Sequence, residues 1–135
     1  MAKVGHKEVE VMARILVIDD EELVRFTLKK ALEKAGHEVV DAANGNDGIE
    51  VYKQSPVDLV ITDIIMPQKE GVETIVELRR DHPDVKIIAI SGGGRTGTTD
   101  YLELAKEFGA RHVLKKPFGR KELLDAVQET LDSSQ

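Results

Sequence analysis

The sequence predicts an α/β protein in which five parallel strands form one sheet and five helices cover both of its faces. Two observations lead to this prediction. Short apolar runs rich in β-branched residues alternate along the chain with segments whose apolar residues recur at helical spacing. In addition, 135 residues suffice for one well-buried core but are few for two ordinary domains. We therefore expect one domain with one functional site.

The strands are predicted from short apolar runs that end at polar residues. Ile15–Ile18 is apolar and β-branched, as is typical of a strand buried on both faces of a parallel sheet. It ends abruptly in four acidic residues. The full set of predicted strands is Ile15–Ile18, Glu38–Ala42, Leu59–Thr62, Lys86–Ile90 and Arg111–Lys115.

The helices are predicted from apolar residues at helical spacing, with glycine or proline where each one stops. The first apolar pattern includes Phe26 and reaches Ala35, and Gly36 follows as a C-terminal stop. The full set is Leu23–Ala35, a shorter helix through 48–52 closed by Ser55-Pro56, one opening at Gly71 and closed by Pro83, one through Tyr101–Phe108 stopped by Gly109, and one through Leu123–Leu131.

Right-handed crossovers would return the chain to the same edge of the sheet after each helix. A strand order of 2-1-3-4-5, the flavodoxin-like doubly wound arrangement, is the usual solution at this size. It places the topological switch point between strands one and three. We assign residues 1–13 to a flexible leader, 14–132 to the domain and 133–135 to a frayed C-terminus.

Composition restricts the classes of function. Hydrophobic residues make up 41% and charged residues 33%, values typical of a soluble globular protein. The absence of cysteine excludes disulfides, thiolate metal sites and a cysteine nucleophile. The formal net charge of -6 argues against a broad surface for nucleic acid or anionic lipid. Because no apolar signal region or spanning run develops, we expect a cytoplasmic protein that recognises another protein or a small ligand.

Polar residues follow four of the predicted strands and should meet at one edge of the sheet. In a doubly wound sheet the carboxyl ends of the strands border one crevice. Three carboxylates gathered there would repel one another, and a divalent cation would relieve that repulsion. Oxygen ligands without nearby histidine or cysteine favour Mg²⁺, with Mn²⁺ as an alternative. The residues are Asp19 and Asp20 after strand one, Asp63 after strand three, Ser91 after strand four and Lys116 after strand five.

These residue types suit phosphoryl transfer. A carboxylate can act as the nucleophile and form an acyl phosphate, while its surroundings supply positioning and charge neutralisation. Asp63 stands alone at its strand end, so we predict that it is the acceptor and that the paired acids hold the metal. Lys116 and the Ser91 hydroxyl would each contact a phosphoryl oxygen.

Four separated motifs lie at or near these strand ends: Ile15–Glu21 (ILVIDDE), Asp63–Pro67 (DIIMP), Ser91, and Lys116–Phe118 (KPF). Together they closely resemble the receiver domains of response regulators. The resemblance spans roughly 14–131. It implies that Asp63 is phosphorylated from the phosphohistidine of a sensor histidine kinase or phosphotransfer protein, in two-component signalling.

The resemblance also implies further features of the site and its partners. Asp20, Asp63 and the backbone carbonyl of Ile65 would bind Mg²⁺, Asp19 would help through water, and the Lys116-Pro117 bond would be cis. The domain would be a signalling acceptor, not an enzyme, and would be a monomer or a phosphorylation-dependent dimer. Its output surface would be helix four, strand five and helix five, including Tyr101, Lys115 and Arg120.

The chain departs from the family at positions that govern the switch. Val113 occupies the place of an aromatic residue on strand five whose rotation reports phosphorylation, so a large aromatic swing is not expected. Ser91 could still move toward the phosphate, helped by the glycines that follow it. Ile65 and Gly93 occupy the two variable positions that tune dephosphorylation, and neither has a polar side chain.

Other interpretations remain open at this point. The acids could merely cap the first helix, leaving a receiver-like interaction module that is never phosphorylated. Gly92-x-Gly94-x-x-Gly97 formally matches a dinucleotide fingerprint, which would suit a nucleotide-binding flavodoxin-like protein, but it follows the fourth strand. The histidines, at 6, 37, 82 and 112, have no metal-ligand spacing, and we expect them at the surface.

Overall fold

The computed structural model describes residues 12–64, 71–91, 103 and 105–133. Its strands are β1 (Arg14–Ile18), β2 (Glu38–Ala42), β3 (Leu59–Asp63), β4 (Ile87–Ser91) and β5 (His112–Lys115). Its helices are α1 (Glu22–Lys34), α2 (Gly45–Gln54), α3 (Gly71–Asp81), α4 (helical at 103 and 105–108) and α5 (Arg120–Asp132). The strands form one sheet in the order β2-β1-β3-β4-β5, with every neighbouring pair parallel. The predicted fold class and strand order are therefore confirmed.

The core consists of two apolar clusters, one on each face of the sheet. Successive side chains of a strand point to opposite faces, and β1 follows this rule: Leu16 and Ile18 belong to one cluster, Ile15 and Val17 to the other. The first cluster includes buried residues of α2, α3 and α4, and the second includes residues of α1 and α5. All four of these β1 residues are at most 1% exposed, so the strand is buried on both faces, as predicted.

The buried face of α1 does not include Phe26. Leu28 and Leu32, one turn apart, are buried against the sheet, whereas Phe26 is 57% exposed. Two positions correspond to about 200° around a helix, so Phe26 lies on the side opposite Leu28. There the Lys30 ammonium lies 5.7 Å from the centre of its ring. Phe26 is thus part of the apolar pattern of the sequence but not of the buried face of the helix.

His37 departs from the prediction, because it is only 8% exposed. It lies between α1 and β2, where its Nδ1 accepts a hydrogen bond of 3.1 Å from the backbone N–H of Ala13. The carbonyl of Ala13 in turn accepts from the N–H of Glu38 at 2.9 Å. Burial lowers the pKa of His37 below its ordinary value. This histidine is a buried structural residue.

Three predicted helix boundaries can be compared with the structure. Gly36 and Gly109 have φ values of +103° and +130°, the left-handed conformation that favours glycine after a helix. Both predicted stops are confirmed. The short helix α2 begins at Gly45, earlier than predicted, because Asn44 caps it by accepting from the Asp47 N–H at 2.8 Å.

A helix needs about 20 apolar residues to cross a bilayer, and none of the described helices meets that requirement. Residues 1–11 and 134–135 lie outside the described residues. The predicted division into leader, domain and frayed end therefore stays a prediction.

Candidate functional site

The candidate site lies at the carboxyl edge of the sheet, where the predicted polar residues meet. Asp63 and Ser91 are the final residues of β3 and β4, one residue further into the sheet than predicted. Asp63 is level with Ile90, and Ser91 is level with Lys115. Lys116 follows directly, and its backbone N–H donates to the Ser91 carbonyl at 2.8 Å. The parallel register thus brings residues that are far apart in sequence to the same level at the carboxyl edge of the sheet.

Three carboxylates form a compact acidic cluster at this edge. Asp19, Asp20 and Asp63 each offer one oxygen, and these oxygens all lie within 4.8 Å of one another. Asp19 is 1% and Asp63 7% exposed, whereas Asp20 is open to solvent. Such a group could hold a metal ion that is reached from the solvent side.

Lys116 supplies the positive charge next to this cluster. Its Nζ lies 3.6 Å from Asp19 Oδ2 and 3.7 Å from Asp63 Oδ2, and its side chain is 25% exposed. The three carboxylates supply only oxygen donors, and an all-oxygen donor set suits a hard divalent cation.

The hydrogen bonds of Asp19 leave one oxygen facing the site. Its Oδ1 accepts from the backbone N–H of Glu21 at 2.9 Å, so this oxygen does serve the start of α1. Its Oδ2 is buried and has no hydrogen-bond partner within the part of the chain that the structure describes. A buried carboxylate oxygen without such a partner is costly unless a cation satisfies it. The capping interpretation therefore accounts for only half of this carboxylate.

The backbone at Asp63 is held by its neighbours. The Thr62 hydroxyl donates to the Asp63 carbonyl at 3.0 Å, and the N–H of Ile64 donates to the Ile90 carbonyl at 2.9 Å. The N–H of Gly71, the first residue of α3, donates to the Ile64 carbonyl at 3.0 Å. These bonds fix the strand end that presents the Asp63 side chain.

Gly71 has a role that sequence reasoning missed. A Cβ atom at this position would collide with the carbonyl oxygen of Asp63 and with Cα of Ile64. The start of α3 therefore lies directly against the peptide that follows Asp63, an approach only glycine permits. The sequence marks Gly71 as a helix start, but nothing in it reveals this contact.

Arg25 is a second residue that sequence reasoning missed. From α1 its Nη1 donates to the Asp19 carbonyl at 2.8 Å, and its Nε donates to Asp41 Oδ2 at 3.0 Å. No motif singles out an arginine at this point of the helix. Its role depends on the way α1 packs beside the ends of β1 and β2.

Several predictions fall on residues outside those described. They concern the Ile65 carbonyl, Gly93, Tyr101 and the glycine fingerprint 92–97, and they stay predictions. The cis Lys116-Pro117 bond implied by the resemblance is present. Val113 is half-buried and packs against the first core cluster.

Comparisons with known proteins show the family of this chain. The family model described as the response regulator receiver domain matches residues 15–128. The chain is 35% identical over 117 residues to the chemotaxis protein CheY of Thermotoga maritima, covering 86% of this chain and 95% of that protein. It is also 35% identical over 122 residues to the sensor kinase CckA of Brucella abortus, covering 89% of this chain but only 13% of that protein.

Solved structures show the same likeness. A response regulator receiver domain protein from Clostridium thermocellum superposes with a TM-score of 0.83 at 32% identity, covering 90% of this chain and 95% of that one. The family match spans most of the chain and includes every described residue of the site. The chain therefore belongs to the response regulator receiver domains, the signalling modules of two-component systems.

Proposed function

We propose that this chain is a phosphorylation switch in which Asp63 accepts a phosphoryl group from a phosphohistidine. The donor would be a sensor histidine kinase or a phosphotransfer protein. One observation carries the proposal: Asp63 is gathered with Asp19 and Asp20 within 4.8 Å, with the Lys116 ammonium 3.7 Å from its Oδ2. A structural cap or turn would not require this convergence.

In the proposed reaction a carboxylate oxygen of Asp63 attacks the phosphorus atom of the donor. An oxygen–phosphorus bond forms while the phosphorus–nitrogen bond breaks, and the imidazole leaves with the electron pair and takes up a proton. Lys116 and the Ser91 hydroxyl would donate to two phosphoryl oxygens. The domain would thereby promote its own phosphorylation and dephosphorylation without being an enzyme that acts on other substrates.

The donor set fits Mg²⁺, or Mn²⁺ in its place. Asp20 and Asp63 would hold the ion directly together with the carbonyl of Ile65, and Asp19 would contribute through water. When bound, the ion would neutralise charge on the phosphoryl oxygens. Two observations support this assignment: the three carboxylate oxygens lie within 4.8 Å of one another, and the buried Asp19 Oδ2 has no hydrogen-bond partner among the described residues.

The signal would leave through helix α4, strand β5 and helix α5. Lys115 and Arg120 are exposed on this side, and Tyr101 belongs to the same predicted surface. Since Lys116 donates to the Ser91 carbonyl and Ser91 is level with Lys115, a shift of Ser91 toward the phosphate would move the end of β5. With Val113 on this strand, the output would depend on backbone displacement more than on an aromatic side chain.

Phosphorylation by a small-molecule donor tests the proposal directly. The protein is incubated with acetyl phosphate and Mg²⁺, and its intact mass is measured with and without excess chelator. We expect the wild type to gain one phosphoryl group only when Mg²⁺ is free, and Asp63→Asn to gain none.

Asp58→Asn is a matched control, because Asp58 is an exposed acid that immediately precedes the other end of β3. It should be labelled like the wild type. If the wild type stays unmodified under conditions that label another receiver, the chain is a receiver-like interaction module and the proposed chemistry is wrong. Nucleotide-dependent stabilisation unaffected by Asp63→Asn would instead support the nucleotide-binding alternative.

The remaining predictions about the chain are part of this proposal. They are a cytoplasmic location, no contact with nucleic acid or membrane through this chain, and a monomer that dimerises, if at all, on phosphorylation. The relatives include both a chemotaxis protein of nearly the same length and a much longer sensor kinase.

A further inference from the structure

We propose that Arg25 is a positioning residue for the divalent site: by holding the carbonyl of Asp19, it sets the direction in which the chain presents Asp20. The inference rests on the proposed function, since it concerns the same site. It assigns a role to a residue that lies outside the acidic cluster.

The geometry gives Arg25 two acceptors at once. Its Nη1 donates to the Asp19 carbonyl at 2.8 Å, and its Nε donates to Asp41 Oδ2 at 3.0 Å. The Arg25 side chain is 17% exposed and the Asp41 side chain 35%, so the ion pair is partly shielded from solvent. A guanidinium group is planar and offers several fixed donors, which allows it to bridge a carboxylate and a carbonyl.

The other polar groups of Asp19 explain why its carbonyl matters. Its N–H donates to the Ala42 carbonyl at 3.2 Å, and its Oδ1 accepts from Glu21. With the carbonyl held by Arg25, Oδ2 is the one polar atom of Asp19 without a hydrogen bond among the described residues, and this atom lies 3.6 Å from Lys116 Nζ. The backbone and one carboxylate oxygen of Asp19 are thus fixed from three sides.

Asp20 depends on this arrangement. The Asp19 carbonyl and the N and Cα atoms of Asp20 belong to one planar peptide group. The direction of the carbonyl therefore fixes the plane in which the N and Cα atoms of Asp20 lie. Among the described residues, the exposed Asp20 side chain has no hydrogen-bond partner of its own. Its position relative to the other two acids is therefore set by the backbone, and Arg25 holds that backbone.

Manganese binding by the metal-free protein tests this role without measuring phosphorylation. Free Mn²⁺ is followed by its electron paramagnetic resonance signal during titration of wild type, Arg25→Met, Arg25→Lys and Asp41→Asn. We expect Arg25→Met to raise the dissociation constant about tenfold, the lower range for outer-shell partners of a metal site. Arg25→Lys, which can reach only one of the two acceptors, should lie between wild type and Arg25→Met.

Asp41→Asn is the matched control. The asparagine oxygen can still accept from Nε, and the bond from Arg25 to the Asp19 carbonyl remains, so we expect a dissociation constant within about threefold of the wild type. Circular dichroism of the metal-free proteins checks that each variant is folded. If Arg25→Met does not fold, the positioning role is tested by the Mn²⁺ dissociation constants of Arg25→Lys and Asp41→Asn. The inference then requires that Arg25→Lys binds Mn²⁺ more weakly than Asp41→Asn does.

The two proposals fail in different ways. Wild-type affinity in Arg25→Met, or an equal loss in Asp41→Asn, would overturn the positioning role while leaving the phosphorylation switch intact. A wild type that binds no Mn²⁺ and accepts no phosphate would instead overturn the proposed function.

Discussion

Replacing Gly71 with alanine should test how closely α3 approaches the candidate acceptor. The added Cβ would lie 2.8 Å from the carbonyl carbon of Asp63 and closer still to the Asp63 oxygen and to Ile64 Cα. All three are backbone atoms that cannot rotate away. The start of α3 and the end of β3 must separate by about an ångström before the distances from the new Cβ to these backbone carbons reach about 3.5 Å.

The size of the effect follows from this collision. Overpacking a core costs about 1–3 kcal/mol, and a backbone obstacle places Gly71→Ala near the upper end of that range. Alanine regains about 0.5 kcal/mol through its better helix propensity and the smaller entropy of its unfolded chain. The net loss of unfolding free energy is therefore about 2 kcal/mol. Divided by the unfolding entropy expected for a domain of this size, this loss corresponds to a fall in Tm of about 8 °C.

Gly119 provides the matched control, since it also stands at the start of a helix. A Cβ there meets nothing within 4 Å, and its φ of -89° suits any residue. Gly119→Ala should therefore change Tm by less than about 2 °C. Thermal unfolding by circular dichroism compares the two variants with the wild type.

Labelling by acetyl phosphate gives the functional measurement. We expect slower labelling of Gly71→Ala even well below its Tm, because the shifted peptide carries Asp63 with it. If Gly71→Ala unfolds and is labelled like Gly119→Ala, the close approach of α3 does not constrain the site.

Three further predictions concern charge and packing. The pKa of His37 is lower in the folded than in the unfolded protein, so its contribution to stability is full above about pH 6.5 and falls on acidification, by up to about 1.4 kcal/mol per pH unit. His37→Gln should remove this component from the pH dependence of the unfolding free energy measured in urea. An unchanged pH dependence in His37→Gln would contradict the prediction. Lys116→Met should lower the unfolding free energy of the metal-free protein by about 1–2 kcal/mol, because the Lys116 ammonium then no longer offsets the acids. For the same reason, Mg²⁺ should raise the Tm of this variant more than that of the wild type. An equal rise in Tm for both proteins would contradict the prediction. Leu32→Ala should lower the unfolding free energy by about 3 kcal/mol because Leu32 is buried, whereas Phe26→Ala should lower it by less than about 1 kcal/mol because Phe26 is exposed. Equal losses would contradict this difference in burial.

The features that could be predicted from the sequence are those that depend on periodicity and topology. Alternating strand and helix patterns determine the layers, and parallel strands bring their carboxyl ends to one edge. Asp63, Ser91 and Lys116 were predicted to meet there for this reason, although they are distant in sequence. A family resemblance added the cis Lys116-Pro117 bond, which no periodicity reveals.

The features that could not be predicted depend on tertiary distances. Gly71 looks like any helix start until the Asp63 peptide is seen against it. Arg25 resembles a solvated helix cation, and only the packing of α1 brings it to the Asp19 carbonyl. His37 is polar and follows a glycine, which predicts a surface turn, but the N–H of Ala13 provides a buried hydrogen-bond donor.

The burial of β1 on both faces also limits how the chain can change in length. Its residues contribute alternately to the two core clusters, and Asp19 follows its last residue. Insertion or deletion of one residue within β1 would send the side chains that follow it to the opposite face and displace the acids from the strand end. Length variation should therefore be tolerated far from this strand, and β1, an interior strand of the sheet, acts as a fixed reference for the position of the acidic site.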